Sequence, residues 1–144
     1  MAPTEYALDQ VIPHRNGVRL VDRLISTSQR DAITEATPTK HWPLRQSNHI
    51  SSLVAVELSA QTAGVLVGSQ ARRTKGASLH GKGWLVGIKK AAFHQDRFQI
   101  GTTIRIKAHL GFSYKTFHEI ETEVSVNETP AANTILQVFW VESD

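Results

Sequence analysis

The stretch from Ile50 to Ala71 limits what this chain can become more than any other, because Glu57 is its only charged residue. Its apolar members Leu53, Val54, Val56, Leu58, Val65, Leu66 and Val67 do not keep to one helical stripe. Ala55, Ala60, Ala63, Gly64 and Gly68 keep the rod slim. A helix that is apolar on most sides is buried on several faces. The length would just reach across a bilayer. Ser51, Ser52, Ser59, Gln61, Thr62, Ser69 and Gln70 nevertheless interrupt it with more polar groups than a lone lipid-facing helix carries. The segment therefore reads as a buried helix of a soluble domain, with something wrapped around it. Ser51 or Ser52 is the expected N-cap, since a hydroxyl there accepts from an N–H the helix leaves unpaired.

The rest of the chain supplies the wrapping. Val18–Ile25 and Asp31–Thr37 read as strands before the helix, followed by a polar, proline-containing loop from Pro38 to His49. Arg72–Lys82 is a basic, glycine-containing connection. Beyond it lie four strand-like stretches, Trp84–Phe93, Thr102–Leu110, Phe117–Val126 and Thr134–Val141. Period-two patterning is clearest at Ile104, Ile106, Ala108 and Leu110, and at Ile120, Thr122, Val124 and Val126. Turns are expected at Asp96–Gly101, Gly111–Lys115 and Asn127–Asn133. A chain of 144 residues without repeat or linker is one domain, residues 1–144. One greasy helix and one amphipathic antiparallel sheet satisfy each other if the sheet curls around the helix. The expectation is an α+β chain of the hot-dog fold, needing a second subunit to cover the open side of the sheet and the helix ends.

Composition excludes several chemistries. With no cysteine, a disulfide framework, a thiolate metal site and a cysteine nucleophile are absent. The net charge of +3 suits an acidic partner but lacks the dense basic tracts of a nucleic-acid binder. The opening MAPTEYALDQ has neither the basic nor the apolar region of a secretory signal, so a cytoplasmic address without membrane attachment is expected. Nucleotide-binding glycine loops, a zinc-protease helix and a serine nucleophile elbow are all missing. The histidines form no closely spaced ligand set, so no metal is expected.

Glu57 is the chief candidate for chemistry. A carboxylate surrounded by apolar groups responds to burial by a raised pKa, and a carboxylic acid kept protonated near neutrality can donate its proton. Gln61, one turn on, can hold that carboxyl. The plainer alternative is a Glu57 that reaches solvent and favours the helix dipole. His41 and His49 lie in the loop feeding the helix, and a neutral imidazole from either would be the complementary base. His80 belongs to an exposed connection, and His109 and His118 are expected to face solvent. Arg72, Arg73, Lys75, Lys82, Lys89 and Lys90 form either a solvated surface or a face for an acidic carrier.

Taken in order, several motifs resemble the 3-hydroxyacyl-[acyl carrier protein] dehydratases. Val11-Ile12-Pro13-His14-Arg15 and Leu20-Val21-Asp22-Arg23-Leu24 look like the family's opening, and His41-Trp42-Pro43 is similar to its His-Phe-Pro element. Glu57, Ala60, Gln61 and Gly64 match its helix pattern, and Gly87-Ile88, Lys90-Ala91, Phe93 and Gly101 resemble the strand and turn after that helix. The resemblance implies a hot-dog homodimer or dimer multiple, no cofactor, and water elimination from a thioester carried by acyl carrier protein or coenzyme A in fatty acid synthesis. It also implies a site shared between subunits, with His41 taking the C2 proton and Glu57 protonating the departing C3 hydroxyl. A backbone N–H at the helix start would stabilise the enolate oxygen. Where the family has Pro-Gly, this chain has Asn48-His49-Ile50-Ser51-Ser52, and its loop is longer, which makes His49 a substitute base. In that loop and in the helix the chain looks closer to dehydratase-like proteins of polyene or other specialised acyl-chain synthesis.

Three functions are therefore expected: a dehydratase; a thioesterase on the same fold, with Glu57 activating water; and a catalytically silent acyl-binding subunit that pairs with a related active dehydratase.

Overall fold

The computed structural model describes residues 19–76 and 81–142. Its single helix among them, α1, spans Val54–Lys75. The strands are β1 (Arg23–Thr27), β2 (Asp31–Ala36), β3 (Arg45–Gln46), β4 (His49–Ser51), β5 (Gly81–Phe93), β6 (Arg97–Gln99), β7 (Ile104–Tyr114), β8 (Phe117–Val126) and β9 (Thr129–Glu142). Six of them form an antiparallel sheet in the order β1-β2-β7-β8-β9-β5, and β3-β4-β6 form a small second sheet. The helix packs against one face of the large sheet, which is the hot-dog fold.

The alternation of side chains along the strands decides which face the helix meets. Ile104, Ile106, Ala108 and Leu110 of β7, Ile120 and Val124 of β8, and Leu136 and Val138 of β9 point inward and are buried, as are Val54, Ala55, Leu58, Val65 and Leu66 of α1. The polar residues that argued against a membrane helix are buried with them: Ser59, Gln61, Thr62 and Ser69 are fully enclosed. Most find partners on the sheet or the helix itself. Thr62 shares a 2.8 Å hydrogen bond with Thr34 and donates to the Leu58 carbonyl, and Thr122 donates to Ser59 at 2.8 Å. A buried hydroxyl is tolerated when paired, and these pairs pin the helix in one register on the sheet. No helix among the described residues is long and apolar enough to cross a membrane.

Several boundaries differ from the sequence expectation for physical reasons. The N-cap of α1 is Leu53, without a side-chain hydrogen bond of its own; the Ser51 hydroxyl, two positions before it, accepts from the Leu53 N–H at 3.3 Å. The first strand begins at Arg23, and Val18 lies outside the described residues. The expected loop from Pro38 to His49 contains β3 and the first residue of β4, and β6 occupies part of the expected Asp96–Gly101 turn. The β7–β8 and β8–β9 turns are tighter than expected. Lys115 (φ 54°) turns the first, and Asn127 (φ 51°) and Glu128 (φ 66°) turn the second, so strands extend where loops were anticipated. Two consecutive left-handed residues make the turn that matches strand twist, even when one of them is glutamate.

β5 is an edge strand, paired only with β9 among the described residues. It carries Trp84, Leu85, Val86 and Ile88 at 43–55% exposure. A Cβ at Gly83 would sit 3.9 Å from the Gly64 Cα, so paired glycines bring this strand close to α1.

Candidate active site

Glu57 projects from the first turn of α1, and its carboxylate accepts a 3.0 Å hydrogen bond from the Gln61 side-chain amide. Gln61 is fully buried, and its own amide oxygen accepts from the backbone N–H groups of Leu20 (2.9 Å) and Val21 (3.1 Å). The i,i+4 spacing read from the sequence therefore brings these two side chains together. Gln61 also does what periodicity alone does not reveal: it fastens the segment before β1 to the helix. With both ends of its amide engaged, Gln61 has one orientation, and it fixes one carboxylate oxygen of Glu57.

Glu57 itself is half-buried in the single chain rather than enclosed. It belongs to a half-buried stripe formed by Val56, Glu57, Ala60 and Gly64, with the helix buried on either side of it. Gly64, at the end of that stripe, is the residue that approaches Gly83 of β5. The acid thus lies on the side of the helix left open next to the apolar edge strand.

The loop histidines occupy other positions. His41 is exposed and its backbone N–H donates to the Thr39 hydroxyl, while the adjacent Trp42 is buried and anchors the loop. His49 is half-buried on β4, and its Nε2 lies 3.3 Å from the Gln46 side-chain oxygen. Within one chain neither imidazole is hydrogen-bonded to Glu57. The helix-start N–H groups are partly committed as well. Leu53 donates to Ser51 Oγ, Ala55 to the Ser52 carbonyl, and Val56 to the Leu53 carbonyl.

His109 faces solvent as expected and pairs with Asp31 at 2.8 Å. His118 does not. It is buried facing the helix, hydrogen-bonded to Ser113, and desolvation holds its pKa below the ordinary histidine value. The signal was in the sequence, since His118 is in phase with Ile120, Thr122 and Val124. His14 and His80 lie outside the described residues.

The anticipated basic face is divided. Arg72 is buried, Arg73 donates to the Thr27 carbonyl and hydroxyl, Lys89 pairs with Glu119, and Lys82 stands over the Trp84 ring. A separate ion cluster joins Glu35 to Arg105 at 2.7 Å and to Arg23. The Arg105 hydrogen bond and then that of Arg23 hold the Glu35 carboxyl below the usual range. Among the described residues no group of three or more His, Asp or Glu side chains is gathered as a metal site.

The family model described as ApeP-like, ApeP dehydratase, matches residues 6–144. No curated protein matches the sequence. Among solved structures, the chain is similar to the dehydratase heterocomplex ApeI:P from Xenorhabdus doucetiae, with a TM-score of 0.82 and 22% identity over 100% of this chain and 93% of that one. An uncharacterized protein from Pyrococcus horikoshii aligns with a TM-score of 0.73 and 15% identity, covering 99% of this chain and 97% of the other. A hypothetical thioesterase protein from Streptococcus pneumoniae, solved with coenzyme A, aligns with a TM-score of 0.66 and 11% identity over 84% and 86%. These structural likenesses support the fold.

Proposed function

The chain belongs to the ApeP-like dehydratase family, and from that premise we propose that it removes water from a 3-hydroxyacyl thioester to give the trans-2-enoyl thioester. The observation that carries this reading is the Glu57 carboxylate, fixed by a buried Gln61 and opening onto the half-buried stripe beside β5. Elimination needs a base at C2 and an acid at the C3 oxygen. Protonated Glu57 gives its proton to the hydroxyl as the C3–O bond breaks, and water leaves. The base takes the C2 proton, and the electron pair of that C–H bond becomes the new double bond. His41 is the assigned base, with His49 as its substitute, each contributed by the opposite subunit.

The partner subunit docks on β5. Its edge, unpaired among the described residues, and its exposed Trp84, Leu85, Val86 and Ile88 form the kind of surface that soluble proteins cover. A subunit seated there also covers the Glu57 stripe and excludes water from it. The substrate arrives on acyl carrier protein or coenzyme A, and the product enters fatty acid or specialised acyl-chain synthesis in the cytoplasm.

A second reading keeps the fold and the partner but assigns catalysis to a related dehydratase, with this chain as its silent subunit. It is supported by the engaged positions of His49 and of the helix-start N–H groups, and by the heterocomplex named in the ApeI:P structure. One assay separates the readings. Purified protein is supplied with 3-hydroxyacyl thioesters of several chain lengths, and enoyl absorbance and free thiol are followed. Absorbance should rise without thiol release, and Glu57→Gln should lower the rate by about 10²–10⁴-fold. Thiol release alone would mark a thioesterase. An inert protein whose related dehydratase is active in a stable mixed complex, unaffected by Glu57→Gln, would establish the silent subunit.

A further inference from the structure

The face of the large sheet turned away from α1 carries a belt of aromatic rings, and the strand register fixes it. Trp84 of β5 is paired with Phe139 of β9, Phe139 with Phe117 of β8, and Phe117 with Tyr114 of β7. The chain neighbours His118 and Trp140 are buried, so alternation turns Phe117 and Phe139 outward. Phe112 joins the belt past the bulge in β7. Its ring lies 6.3 Å from that of Phe117, which lies 5.3 Å from that of Phe139, both edge to face. Trp84, Phe112, Tyr114 and Phe139 are nevertheless 40–64% exposed. Five rings of about 150–250 Å² each, near half exposed, leave on the order of 500 Å² of aromatic surface in water. That lies toward the upper end of the largest patch a monomer carries, about 300–600 Å². Docking along the β5 edge does not account for it. Leu85 and Ile88 pair with the buried Val138 and Leu136 and so face the helix side, whereas Trp84 points the other way.

Charge divides across the belt. At the strand ends Lys115 stands over the Tyr114 ring at 5.5 Å, and Lys82 over the Trp84 ring at 5.9 Å. On the other side of the belt, β8 turns Glu119, Glu121 and Glu123 to the same face as Phe117. Glu119 meets Lys89, but among the described residues Lys115 and Glu121 have no ion-pair partner. An acidic protein or an anionic membrane laid on this face would be attracted by the lysines and repelled by the β8 carboxylates. A second copy meets both with the opposite sign. A twofold axis running across the strands through the belt lays ring on ring with strand directions reversed. It carries Lys115 of each copy toward Glu119 and Glu121 of the other.

We propose that this aromatic face is a back-to-back interface with a second copy of the chain, separate from the β5 edge and independent of the chemistry at Glu57. Its area falls short of the roughly 800 Å² per partner of a stable complex, so the contact is weak. At micromolar concentration the chain is the β5 dimer, and higher concentration joins dimers back to back. Sedimentation equilibrium of the full chain from micromolar to submillimolar concentration tests this. The average mass should climb toward twice its starting value. Phe112→Thr combined with Phe139→Thr should abolish the climb with circular dichroism unchanged. Lys115→Glu alone, and Glu119→Lys with Glu121→Lys, should each weaken association by about tenfold, and an equal mixture of the two should restore it. The starting mass reports the β5 contact and the climb reports the aromatic face, so either can fail alone. A constant mass across the range, an undiminished climb in the folded threonine variant, or a charge-swapped mixture no more associated than its components would each overturn the proposal.

Discussion

Gln61 joins three parts of the molecule through one amide: the helix on which it sits, the backbone before β1, and the Glu57 carboxylate. Replacing it by leucine leaves two buried N–H groups unpaired. Each such group costs about 1–3 kcal/mol, so Gln61→Leu should destabilise the fold by roughly 2–6 kcal/mol in urea denaturation. A loss below about 0.5 kcal/mol would show that the amide is dispensable. His118 makes a pH prediction. Its folded pKa lies below the unfolded value of about 6.5, so the unfolded chain binds the proton first as pH falls. Stability should be level above that value and decline on acidification until the lower folded pKa is passed. His118→Gln should flatten that part of the curve; an unchanged slope would assign it to other groups. At this scale the sequence was legible where spacing is set by the helix, as for Glu57 and Gln61. It was not legible for the loop histidines, whose positions depend on β3, β4 and the anchoring of Trp42 rather than on local periodicity.

Among the elements, β7, β8 and β9 were readable because their burial alternates with a period of two, and α1 because it is apolar on most sides. The long loop was not, since β3 and β4 span too few residues for alternation to register. The turns were misjudged because Lys115 and Glu128 adopt left-handed backbone that glycine or asparagine would ordinarily signal. β5 shows a different limit. Its apolar residues were visible as a strand, but the exposure of Trp84, Val86 and Ile88 is a property of the assembled sheet. A charged residue at such an edge discourages pairing. The proposed docking of a second copy on β5 predicts a dimer in sedimentation velocity that Val86→Lys combined with Ile88→Lys converts to a monomer, with its strand content by circular dichroism retained. A folded double variant that remains a dimer would place the interface elsewhere.

For the whole molecule, the hot-dog fold holds an acid on the half-buried side of its helix. Glu57 is ordered and half open, and within one chain neither loop histidine is hydrogen-bonded to it. The fold class was legible because a helix greasy on all sides leaves few ways to cover it. The proposed completion of the site by a second subunit was not legible in the same way, because side chains of another chain leave no pattern in the order of residues along this one. The account therefore stands on catalysis shared between subunits, and mixing two disabled variants tests it most directly. Glu57→Gln and His41→Ala, each nearly inactive alone, should on co-refolding form hybrid dimers with one intact site apiece. About a quarter of the wild-type rate of enoyl formation should then return, as random pairing of equal amounts in a twofold dimer requires. A mixture no more active than its components, once hybrid dimers have been shown to form, would contradict a site built from Glu57 of one chain and His41 of the other.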